Sequence, residues 1–296
     1  MDSVILVRSA RTFLFVPGDR PERFAKALAS PADAVVLDLE DAVAQPAKDS
    51  ARAAVAQALR DASDDERARL VVRINDEAAA AFAEDLAMLA ECAASGAAAV
   101  MLPKAERVAT LERLAAACPG MAMLALVESA RGVLAAESLA AAPGVVRLVF
   151  GTLDFALDIG AETDAGPTSR TGVTAASDLQ HLALDAAASR LVWASRAAGI
   201  AAPVAGVTTA IDDEPLLLAE LARARAHGFS GKLCIHPRQV EPIHAAFRPG
   251  AEPLAQARRV LQAAEAAAGA AVLLDGRMVD KPVIERARRL VARATR

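Results

Sequence analysis

The chain has no tyrosine, one tryptophan and an aromatic content of only 3%. Alanine takes up much of the composition instead, and the runs Ala78–Ala81 and Ala264–Ala268 sit in patterns that read as helix, because Ala is the best helix former. Cysteine is also scarce. Cys92, Cys118 and Cys234 are odd in number and far apart, which fits free thiols in a reducing compartment rather than a disulfide framework or a zinc site. The formal net charge of -4 offers no basic face for nucleic acid. No charge-free apolar run reaches the roughly 18 residues of a membrane span. The N-terminus has neither a basic start nor a cleavage site, so no signal peptide is read and the cytoplasm is the expected location. His181, His227 and His244 lack ligand spacing, and neither a Ser/His/Asp elbow nor a phosphate-binding glycine loop occurs.

What the sequence does have is alternation. Eight short, near-continuously apolar runs start at Thr12, Ala34, Leu70, Ala97, Met121, Val146, Ala202 and Gly231, as buried parallel strands do. Helical patterns fill the gaps, among them Pro46–Arg60, Ala78–Ser95 and Pro215–His227, with Gly96, Gly199 and Gly228 where helix ends belong. About eight such units over ~240 residues match a TIM (β/α)8 barrel. A doubly wound open sheet is the rival fold, but the first turn, VPGDRPE, is no dinucleotide fingerprint. Polar residues fall repeatedly at the C-terminal ends of the runs: Asp38, Glu40 and Asp41, then Arg73 and Asn75, Lys104, Glu128, Asp154 and His236. That pattern is the catalytic rim of a barrel. The expected division is a barrel over 1–250 and an arm or lid over 251–296. The arm reads as a helix, a hairpin at Asp275-Gly276 and a final helix from about Lys281.

Glu128 and Asp154 end adjacent predicted strands, and a pair of carboxylates there suits Mg²⁺, which keeps water and leaves positions for substrate. The competing reading is that each acid caps a following helix. Arg73 offers a fork for a carboxylate or a developing oxyanion. Asp38 and Glu40 are placed to orient Arg73 or metal-bound water, or to form a buried ion pair that only fixes the barrel. Lys104 raises a metal-free Schiff-base route, although Glu106 nearby would keep the amine charged. His236, ahead of a proline, reads as a substrate contact or as a structural histidine.

The segments RTFLFVPGDRPERFAKAL, VVLDLEDAV, VVRIN, LPKAE, LVESARG, VFGTLDFALDIG, GKLCIHPRQV and GRMVDKPVIERA resemble, in order and over nearly the whole chain, the citrate lyase β-subunit-like branch of the HpcH/HpaI aldolase family. The resemblance implies a TIM barrel, Mg²⁺ and a homotrimer or hexamer. It also implies lyase chemistry on citryl-, malyl-, citramalyl- or methylmalyl-type thioesters. It assigns Glu128 and Asp154 to the metal, Arg73 to the substrate and Asp280 to the acid carried on a lid. Arg20 and Lys26 are its candidate contacts for coenzyme A phosphates. The long polar stretch between Ile159 and Gly199 departs from the family pattern, and the absence of tyrosine removes one common partner for adenine stacking.

The expected reaction is reversible Claisen-type cleavage of a β-hydroxyacyl-CoA to acetyl-CoA and a 2-oxo acid. Its rivals are a class II aldolase acting on free 4-hydroxy-2-oxo acids, a citryl-thioester lyase subunit of a larger complex, and a non-enzymatic binding protein. Thioester dependence, activity of the isolated chain and turnover of bound ligand separate them. Neither nucleic acid nor membrane is an expected partner.

Overall fold

The computed structural model describes residues 3–93, 99–161, 181–267 and 271–294. Eight parallel strands close into a barrel in chain order: β1 (Thr12–Pro17), β2 (Ala34–Asp38), β3 (Leu70–Arg73), β4 (Ala99–Leu102), β5 (Ala122–Val127), β6 (Val145–Phe150), β7 (Ala201–Ala205) and β8 (Gly231–Cys234). Each strand lies within one of the eight apolar runs or starts within a residue of it. The open-sheet alternative is excluded, because β8 pairs back onto β1.

The strands are apolar almost without break because both faces are covered. β2 and β5 are buried along their whole length. Alternate residues enter the barrel interior, as the period-two geometry of a strand requires: Ala34 and Val36, Ala99 and Met101, then Ala122, Leu124 and Leu126. Such burial stabilises by about 1.5–3 kcal/mol per large aliphatic side chain.

In β6 a charged side chain interrupts the apolar run. Arg147 of β6 is fully buried. Its guanidinium donates to Ala10 O at 2.6 Å, Ala202 O at 2.7 Å, Val7 O at 3.3 Å and Ser230 Oγ at 2.6 Å. It thereby ties the end of the first helix (Ser3–Ser9) and the residue after it to β7 and to the residue that precedes β8. Burial lowers its pKa to about 9.

The helices follow the expected pattern with local differences. Lys48–Asp61 and Glu214–His227 match their predicted spans closely. The Ala78 run does not start the next helix, which begins only at Phe82. The Asp76 carboxylate accepts from Ala78 N at 2.8 Å and holds the Ala run in a turn, a side-chain competition that Asp imposes on backbone. Gly96 lies outside the described residues, as does most of the divergent stretch after Ile159, from 162 to 180.

The chain separates into two compact units, Met1–Ile243 and His244–Arg296, with the helix Val240–Phe247 running across the join. The second unit contains the helix Ala251–Ala266, the hairpin β9 (Val272–Leu274) and β10 (Arg277–Val279), and the final helix Lys281–Ala294. Asp275 and Gly276 both have positive φ, as a tight hairpin turn needs. Val260, Ala264, Val279 and Ile284 form a small core of its own.

Candidate active site

The site begins with register. In the pairing of β2 with β3, Asp38 lies directly beside Arg73 at the C-terminal ends of both strands. Arg73 Nε and Nη2 each donate to one Asp38 carboxylate oxygen, both at 2.7 Å. Asp38 is fully buried and also accepts from Glu40 N at 2.9 Å and Ala42 N at 3.2 Å. All four contacts converge on one carboxylate, so the Arg73 fork and the Glu40 loop are fixed together. The Arg73 guanidinium also lies over the Phe15 ring, 4.8 Å from its centroid.

Arg73 Nη1 lies 2.8 Å from Glu40 Oε2, an ion pair formed off the hydrogen-bonding axis. Glu40 Oε1 accepts from Lys104 Nζ at 2.9 Å. Lys48, reaching in from the helix behind, donates to both Leu39 O (2.6 Å) and Glu40 O (2.7 Å). Burial raises the pKa of Glu40, against the opposing pull of Arg73 and Lys104. Burial opposes the charge on Arg73 too, but Asp38 and Glu40 outweigh it and hold the guanidinium above its ordinary range. Its side chain retains 13% exposure, so the fork is anchored without being sealed from a ligand.

Glu128 follows β5 directly and is buried. One oxygen, Oε1, accepts from the backbone N of Lys104 at 2.8 Å. The other lies against Gly151: a Cβ at that position would stand 2.5 Å from Glu128 Oε2 and 2.6 Å from its Cβ, so only glycine fits. Burial pushes the Glu128 pKa up to about 8. The Lys104 amide works the other way, and the negative charges of Glu40 and Asp154 add to the rise. A buried acid within electrostatic reach of two further acids is a place that gains by acquiring a cation.

Asp154 does not end a strand. β6 stops at Phe150, and Asp154 stands exposed in the first turn of the helix Thr152–Asp158. The apolar run leading into it hid this boundary, because Gly151-Thr152 continues the run while the backbone already turns. Acids are favoured at that helix position in any case. Its charge is nevertheless close enough to act on Glu128. Among the described residues, no group of three or more His, Cys, Asp and Glu side chains is arranged to hold a metal by itself. Mg²⁺ does not need one, since it binds through one or two carboxylates plus water and substrate oxygens.

The remaining candidates are dispersed. Arg20 and Lys26 are exposed on the first loop and its short helix, with Arg20 Nε 3.9 Å from Asp19. His236 caps the turn Pro237–Gln239, its Nδ1 accepting from Arg238 N at 3.2 Å, which gives it a structural role. Asp280 accepts from Val283 N at 3.3 Å at the start of the last helix. Sequence reasoning missed Lys48, whose only signal was a cation in the second helical pattern. It also passed over Asn75 as more than a rim residue. Asn75 N and Nδ2 both donate to buried Asp85, which accepts from Arg52 as well.

A model for HpcH/HpaI aldolase/citrate lyase matches residues 11–237, and one described as a C–C bond lyase of the TIM-barrel fold matches residues 184–296. The chain is 41% identical over 283 residues to a citrate lyase subunit beta-like protein of Mycobacterium tuberculosis, covering 95% of this chain and 94% of the relative. It is 35% identical to a (3S)-malyl-CoA thioesterase of Cereibacter sphaeroides, covering 96% and 94%. Among solved structures, it resembles the Mycobacterium tuberculosis protein CitE in complex with magnesium, acetoacetate and coenzyme A. The TM-score is 0.80 and the identity 38%, over 98% of this chain and all of the other. The chain belongs to the HpcH/HpaI aldolase/citrate lyase family.

Proposed function

We propose that the protein is a Mg²⁺-dependent carbon–carbon lyase. It cleaves, or in reverse forms, a β-hydroxyacyl-CoA of the malyl, citramalyl or citryl type, giving acetyl-CoA and a 2-oxo acid. The observation that carries this reading is the Glu128 site: a buried carboxylate, one oxygen held by the Lys104 amide, within electrostatic reach of Asp154 and of an anchored arginine fork. The magnesium and coenzyme A bound by the CitE relative support it.

In this reading Glu128 and Asp154 hold the ion, and the oxo-acid portion of the substrate completes its shell. Bound there, Mg²⁺ supplies a Lewis acid for the oxo-acid oxygens. Arg73, kept rigid by Asp38, directs its remaining N–H groups to the oxygen on which negative charge develops. The β-hydroxyl gives its proton to the Asp280 carboxylate, its oxygen becomes the carbonyl of the oxo acid as the bond to the thioester α-carbon breaks, and the electron pair of that bond passes into the thioester enolate. Asp280 then delivers a proton to the α-carbon of the thioester enolate. Arg20 and Lys26 serve the coenzyme A phosphates. Leu134, Leu157 and Trp193 are strongly exposed on helices packed side by side, which supports assembly into a homotrimer or hexamer. Among the described residues no helix is long and apolar enough to cross a membrane, in keeping with a cytoplasmic enzyme.

The thioesterase relative favours one second reading, hydrolysis of the thioester. The isolated chain should be assayed with a panel of hydroxyacyl-CoA thioesters, and with free 4-hydroxy-2-oxo acids, with and without Mg²⁺. Metal-dependent release of acetyl-CoA and a 2-oxo acid supports the lyase. Free CoA with an intact hydroxy diacid supports hydrolysis. Turnover of free hydroxy-oxo acids alone points to the aldolase.

A further inference from the structure

Lys104 has a positive φ of 46°, in the left-handed region where side-chain-bearing residues are disfavoured and Gly, Asn or Asp is the easy choice. The conformation has a visible result. In an extended strand, successive N–H groups point to opposite sides. Here Lys104 N reaches Glu128 Oε1 at 2.8 Å and the next amide, Ala105 N, reaches Leu126 O at 2.9 Å, so both turn toward β5. Glycine would provide that turn with less strain, yet the position carries lysine. The lysine side chain runs back across the mouth to Glu40 Oε1 at 2.9 Å, with Asp76 at 3.8 Å.

We infer that Lys104 is a positioning residue with two separable functions, an inference that rests on the lyase reading above. Its backbone N–H occupies one oxygen of Glu128 and leaves Oε2 as the free ligand atom. Its ammonium holds Glu40 in place, and Glu40 in turn flanks Arg73 Nη1. Lys104 therefore joins the metal-holding half of the site on β5 to the charge-stabilising half on β2 and β3. Without the ammonium, Glu40 is free to swing further onto Arg73 and compete with substrate for its N–H groups.

The two functions can be tested apart. Lys104→Gly keeps the turn and the bond to Glu128 but removes the ammonium; Lys104→Asn, also tolerant of positive φ, is the second variant. In both, kcat should fall about tenfold to a hundredfold, as when one charge-assisted hydrogen bond aligning a reacting group is lost. The KM for thioester should stay within about threefold. Mg²⁺ affinity, measured by calorimetry on the unliganded chain, should be unchanged, and the melting temperature of Lys104→Gly should be equal to or above that of the parent. A merely structural lysine would lower stability and rate together, and that result overturns the inference. An unchanged kcat overturns it too, and a matching loss of Mg²⁺ affinity refutes the separation of the two functions. If the parent chain turns over no hydroxyacyl-CoA, the lyase reading itself fails and this inference falls with it.

Discussion

Asp38→Asn tests the anchor of the site without changing its shape. The Asp38 carboxylate accepts four hydrogen bonds, two on each oxygen: Arg73 Nε and Glu40 N on Oδ1, Arg73 Nη2 and Ala42 N on Oδ2. An asparagine must turn its NH₂ toward one of these pairs, whichever way the amide flips. One arginine N–H and one backbone N–H then face a donor. Each buried donor left unsatisfied costs about 1–3 kcal/mol, which agrees with about 3–5 kcal/mol for breaking a buried ion pair from one side. A domain of this size loses about 2–4 °C per kcal/mol, so the melting temperature should drop by roughly 10 °C. The chain should remain folded, because native stability is about 5–15 kcal/mol. Arg73 would also lose its alignment, and a displacement of that kind costs about 10²-fold in rate. Thermal unfolding by circular dichroism and initial rates on the same sample measure both. A variant that melts within about 3 °C of the parent and keeps its rate within about threefold would refute the anchoring role.

Arg73→Lys keeps the charge but loses the fork and should cost about 10²–10³ in kcat, read from steady-state kinetics. Gly151→Ala would press a methyl group against Glu128 Oε2; Mg²⁺ affinity should fall about 10–100-fold by calorimetry while circular dichroism shows the barrel intact. Asp280→Asn preserves the helix cap, since Asn caps as well as Asp, so its melting temperature should not move, whereas rate falls about 10²–10⁴-fold. For pH, the sign follows from Glu128, whose pKa in the fold is raised by burial from 4.5 to about 8. Between those values the unfolded chain has shed a proton that the metal-free fold retains, so metal-free stability should fall as pH rises through this window. Mg²⁺ displaces that proton, so its affinity should rise with pH and level off above about 8, as calorimetry at stepped pH would show.

The strands were legible because a barrel strand is buried on both faces and has to be apolar throughout. The rim residues were legible because each one ends such a run. What stayed hidden depends on distant pairing. The role of Arg147 had no signal in the sequence, because the carbonyls it satisfies, Val7 and Ala10, lie more than a hundred residues away in sequence. Lys48 showed no motif, since its acceptors are backbone carbonyls that only a folded loop presents. The turn at Lys104 carried no glycine or asparagine to announce positive φ. Asp154 was assigned to a strand end because an apolar run does not mark where strand becomes helix. Asp38 was already read as a group that could orient Arg73, but the two-oxygen clasp between them needed the register of β2 on β3, which follows only once the barrel has closed.

Metal-dependent cleavage at Glu128 is tested by the Mg²⁺ dependence of acetyl-CoA formation by the parent chain and by Glu128→Gln, measured side by side on the thioester that the panel identifies. The expected result is saturable Mg²⁺ activation of the parent, complete loss with a chelator, and little or no activation of Glu128→Gln at any Mg²⁺ concentration, with the fold intact. Full activity of Glu128→Gln at the same Mg²⁺ concentration, or chelator-resistant cleavage by the parent, would contradict it.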